Sequence, residues 1–103
     1  MIVRLSTAGA VVQDPDDLAD LRLDTDLDAD GLRKALATTG TGQLSDGGTA
    51  LLDVAVLRSL AVLRPTAPGW SERWKAMIED ARERGLLSAD GRSLRVPVNG
   101  ARR

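Results

Sequence analysis

The residues Asp26-Leu27-Asp28-Ala29-Asp30-Gly31 place carboxylates at alternate positions ahead of a glycine. That is how a calcium-binding loop opens: alternate acids chelate a hard cation and the glycine permits the turn. The pattern then departs from that chemistry. Position 9 of such a loop is Lys34, a cation beside the ion, and position 12 is Ala37, where a bidentate carboxylate is required. An Asp-rich segment that caps a helix fits the whole stretch better.

The second stretch with chemical potential is Gly40-Thr41-Gly42-Gln43-Leu44-Ser45-Asp46-Gly47-Gly48. A glycine-rich loop running into a helix can cradle phosphate on free amides. No G-K-[ST] ending follows, no strand directly precedes it, and Asp46 would repel an anion. The loop from Thr38 to Gly48 therefore reads as a flexible connector.

Other chemistries are closed by composition. The 103 residues include no Cys, His, Phe or Tyr and two Trp. Thiol and imidazole nucleophiles, disulfides and Cys- or His-ligated metal sites are excluded. The remaining acid–base groups are Asp, Glu, Lys34 and Lys75, with no spacing that implies a shared site. None of the serines has a recognisable nucleophile context. The chain is read as non-enzymatic, with no catalytic residue, metal or cofactor assigned.

These residues need elements to position them. The length suits a single small domain over residues 1–103, and 43% hydrophobic residues suit a folded chain with an aliphatic core. No apolar run approaches the ~20 residues of a membrane span, and Met1 to Ser6 do not resemble a secretory leader. The expected compartment is the cytoplasm, with no membrane partner. Net charge is −1, which gives no whole-chain attraction to nucleic acid. Charge is nevertheless segregated. Residues 14–30 carry eight Asp against one Arg, and residues 58–103 carry ten Lys and Arg against five acids. The two regions could attract each other, within a chain or between chains, or stay apart as solvated surfaces.

Residues 1–13 read as an N-terminal strand region with a Gly-containing turn. Asp14-Pro15-Asp16-Asp17 has the composition of a helix start, and Asp28-Ala29-Asp30 is a second start, with Leu32, Ala35 and Leu36 on one face and Gly40 as terminator. From Thr49 to Leu63 only Asp53, Arg58 and Ser59 interrupt apolar sequence after the first residue, so this run is expected to be a central helix covered on most sides. Pro65 and Pro68 end it. Trp70, Trp74, Met77, Ile78 and Ala81 form one stripe of a further helix closed by Gly85. Leu86 to Val98, with Asp90-Gly91 as its turn, reads as a C-terminal β-hairpin with Pro97 on an edge strand. Residues 99–103 read as a frayed basic tail.

The order helix, Gly, apolar pair, DG turn and strand over Trp70–Val98 resembles the last helix and wing of a winged-helix domain. The resemblance implies a small DNA-binding transcriptional regulator, with Arg73, Lys75, Arg92 and Arg95 on the nucleic acid. Glu72, Glu79 and Glu83 share the exposed helix face and disfavour nucleic acid, and the Leu63–Gly69 connector is long for such a motif.

The expected fold is α+β and mostly helical, with about three helices around a buried central helix and a C-terminal β-hairpin, winged-helix-like. The expected function is a non-catalytic protein–protein interaction or regulatory module. It would bind a protein partner or form a homodimer, because residues 51–63 are expected to need more cover than one small domain supplies. Trp70, Trp74, Arg73 and Lys75 are the candidate interface.

Overall fold

The computed structural model describes residues 1–45 and 47–100. Among these residues six strands form one curled mixed sheet: β1 (Ile2–Ser6), β2 (Gly9–Gln13), β3 (Arg22–Thr25), β4 (Gly42–Ser45), β5 (Thr49–Asp53) and β6 (Ser93–Asn99). Among the same residues three helices accompany it: α1 (Ala29–Thr39), α2 (Val54–Ala61) and α3 (Trp70–Glu83). The spatial order is β2-β1-β3-β6-β5-β4. β1–β2, β4–β5 and β5–β6 run antiparallel, whereas β1–β3 and β3–β6 run parallel.

The sheet forms because its strands carry apolar residues with a period of two. Val3 and Leu5 are buried while Arg4 and Ser6 are exposed, and Leu94 and Val96 are buried while Arg95 and Pro97 are exposed. The register aligns these residues into rows. Val12, Val3 and Leu23 lie side by side on one half of the sheet, and Ala50 lies beside Val96 and Leu52 beside Leu94 on the other. α1 packs on β1 and β4, and α2 on β2 and β5. Leu32 and Leu36 of α1, Leu57 and Ala61 of α2, and Trp70, Trp74 and Ala81 of α3 complete a single core cluster with the strands.

This architecture overturns the mostly helical, winged-helix-like expectation. The apolar run 49–63 is not one central helix. Its first five residues are β5, and α2 begins only at Val54. Two features impose the switch. Gly47 and Gly48 both take positive φ and turn the chain from β4 into β5. The carboxylate of Asp53 accepts a hydrogen bond from the Val56 amide at 2.9 Å, capping α2 at that point. A run covered on both sides by a sheet and its helices is as apolar as a buried helix, so composition alone cannot separate them.

The C-terminal hairpin is reduced to an isolated Leu87–Leu94 bridge, because β6 pairs with β5 and β3 instead. Pro97 accordingly lies in an interior strand rather than an edge. Val98 donates to Gly48 O on the β5 side and Arg95 donates to Leu86 O on the other. By alternation the Pro97 nitrogen faces away from β5, where pairing with β3 begins only at Val98. The missing amide hydrogen costs the sheet no bond.

The Asp14-Pro15 signature starts no helix. Residues 14–21 cross from β2 to β3 as turns, with Asp14 at φ 51. The glycine-rich loop yields β4. Gly42 is required there, since a Cβ would sit 2.1 Å from Leu51 O. Of the expected basic tail, Asn99 belongs to β6, and residues 101–103 lie outside the described residues. α1 and α3 do form, α1 between Asp28 and a left-handed Gly40.

Gly42→Ala should push β4 off β5 and lower stability by about 1–3 kcal/mol in urea unfolding, the usual cost of overpacking. Leu52→Ala, in the buried row with Leu94, should cost about 2–5 kcal/mol in the same measurement.

Candidate functional site

The residues singled out by type and spacing separate into structural and exposed groups. Asp28 is the N-cap of α1, accepting from the Gly31 amide at 2.7 Å. Asp30 pairs with Arg33 at 3.0 Å. Among the described residues no group of three or more acids is arranged to hold a metal ion.

The two tryptophans sit inside the protein. Trp70 is 3% exposed and Trp74 5%, and their rings stack with centroids 5.3 Å apart. The Trp70 indole Nε1 donates to Pro15 O at 2.7 Å. They are core residues of α3, and neither offers a surface anchor to a partner.

Arg73 is exposed but engaged. It donates to Asp16 O at 2.9 Å and to the Asp16 carboxylate at 2.8 Å, and that same carboxylate accepts from the Ala67 amide at 3.0 Å. The Ala67 amide and the Arg73 guanidinium hold the Asp16 carboxyl below its ordinary range. Here the acidic segment meets the basic half of the chain, as an intramolecular latch between the 14–21 crossover and the start of α3.

Lys75, Arg92 and Arg95 are exposed. Arg92 follows the turn at Asp90, whose carboxylate accepts from the Ser88 hydroxyl and the Arg92 amide, contacts that lower its pKa. Arg95 is on β6. On α3, Arg82 lies 3.9 Å from Glu79 and Arg84 lies 3.4 Å from Asp80, so acids intersperse the cations. Arg73, Lys75, Arg92 and Arg95 are thus divided among a latch, a helix, a turn and a strand.

The buried hydroxyls are satisfied structurally. Thr25 Oγ1 donates to Leu5 O at 2.9 Å and accepts from the Leu27 amide at 3.1 Å, and the Thr39 and Thr41 hydroxyls are 2.7 Å apart. No buried side-chain N or O among the described residues lacks a partner.

The feature absent from the sequence reading is apolar. Among the described residues, the exposed large hydrophobics are Val11 at 50%, Val62 at 56% and Leu63 at 79%. Val11 and Leu63 line one groove of about 320 Å³ with Leu60, Arg64 and Pro65, between β2 and the end of α2. Val62 lines a separate hollow with Val54, Arg58 and Trp74. The signal was Pro65. A helix seldom runs into the residue before proline, so Val62 and Leu63 leave the buried stripe, with Leu63 and Arg64 donating to Leu60 O and Ala61 O in a tightened last turn.

Because the folded-state pKa of Asp16 is depressed, the latch stabilises above the ordinary value of 3.8 and is lost as pH falls through the folded-state value. Asp16→Ala should therefore lower the Tm at neutral pH, and the gap from the parent protein should close in acid, measured by thermal circular dichroism across pH 2–7. Compared with protein-family models, with curated proteins and with solved structures, the chain matches none of them.

Proposed function

We propose that the chain is a non-catalytic interaction module that associates with a second copy of itself. The observation that carries this reading is the meeting of exposed Val11 and Leu63 in one groove between β2 and the end of α2, with exposed Val62 next to Leu63 in the chain. Single exposed apolar residues are ordinary, but adjacent ones rimmed by polar groups mark contact surfaces. Of the apolar run 49–63, Leu52, Leu57 and Ala61 are covered within one chain, and its end at Val62-Leu63 is what remains for a neighbour to cover.

Electrostatics permits the association. A net charge of −1 gives identical copies little mutual repulsion. Arg64, which lines the groove, would set orientation more than affinity.

Sedimentation at micromolar and at submillimolar protein tests the proposal. The mass should rise with concentration from one chain to two. The double substitution Val62→Asp/Leu63→Asp should weaken association about tenfold or more, since burying one such side chain is worth ~1.5–3 kcal/mol. Both side chains are exposed in the single chain, so the variant should keep its circular dichroism. A single-chain mass at every concentration refutes the reading.

A further inference from the structure

We infer that two copies join by pairing their β2 strands antiparallel about a two-fold axis at Val11, extending each six-stranded sheet into the other. This rests on the self-association proposed above and names its geometry. β2 ends the sheet, paired with β1 on one side only. An edge strand offers unpaired N–H and C=O groups, and natural proteins usually blunt it with charge, proline or a bulge. β2 reads Gly9-Ala10-Val11-Val12-Gln13, with no charge, no proline and an unbroken register against β1.

The second copy is the favoured occupant for reasons of charge and symmetry. The strand is uncharged, so placing it beside itself opposes no like charges. An antiparallel pair is two-fold symmetric by construction, with Val11 facing Val11 and Ala10 facing Val12, and such a contact closes at two chains. The exposed apolar residues select this edge over the other. Leu63 and Pro65 form the far wall of the groove along β2, whereas none of the exposed large hydrophobics lies on β4. A β2–β4 contact would be head-to-tail and would propagate beyond a dimer.

The test compares Val11→Lys with Gln43→Lys, both at exposed positions, one on each edge. Val11→Lys sets two cations opposite each other across the axis and should raise the dimer dissociation constant about tenfold or more. Gln43→Lys should leave it unchanged. Amide hydrogen exchange on the unsubstituted protein gives a readout independent of any variant. Amides of β2 that do not bond to β1 should exchange more slowly at high concentration, while those of β4 should not change. A dimer that survives Val11→Lys with β2 exchange independent of concentration overturns the strand pairing and leaves self-association standing. Assemblies larger than two chains, weakened by Gln43→Lys, overturn it in favour of β2–β4 contact. A protein that stays a single chain throughout overturns both proposals.

Discussion

The order β2-β1-β3 sets the end of β2 and the start of β3 on either side of Ile2, so the chain must cross the end of β1 between them, and here it does so without a helix. The crossing at 14–21 has few regular backbone bonds of its own, and its carbonyls must find donors elsewhere. They find them in distant parts of the chain. The Trp70 indole donates to Pro15 O, Arg73 to Asp16 O, and the Met1 amine to Asp17 O and Asp20 O. Burial lowers the pKa of that amine, against the opposing pull of Asp17, Asp20 and Asp14. With the crossing fixed, Arg22 donates its amide to Met1 O and β3 enters beside β1. The charge segregation along the sequence thus has an intramolecular use at one contact, Asp16 with Arg73. That pair is exposed, so it adds orientation more than stability.

Helices were more legible than sheet. α1 and α3 carry local signals: Asp28 and Gly40 at the ends of one, and an apolar stripe with Gly85 after the other. Such signals act over a few residues and need no knowledge of the rest of the fold. The pairing of β6 depends on partners far away in sequence, and that of β4 on the β5 strand that follows it across the Gly47-Gly48 turn. Nothing in Gly42-Gln43-Leu44-Ser45 specifies a strand until β5 lies beside it. Asp14-Pro15 carries the chemistry of a helix start but is committed elsewhere, with Pro15 buried under Trp70. Local propensity there loses to tertiary contact.

The site shows the same division. Trp70 and Trp74 were readable both as core and as interface, because an apolar stripe states that a helix face is covered but not by what. The fold covers them itself. Val11 could not be identified in advance as exposed, since adjacent Val11 and Val12 alternate sides and only the register with β1 decides which faces inward. Val62 and Leu63 look in the sequence like a continuation of α2, and their exposure follows from where Pro65 stops it.

The order of strands also bears on how the molecule is made. The sheet consists of a mixed half, β2-β1-β3, and an antiparallel half, β6-β5-β4, and the register that joins them is Leu23 with Val98 and Asp24 with Asn99. Those partners are separated by most of the chain, so closing the seam carries a large loop-closure entropy. During synthesis β3 must wait, one edge unpaired, until β6 has left the ribosome. High contact order of this kind slows folding and prolongs the exposure of sticky strand edges.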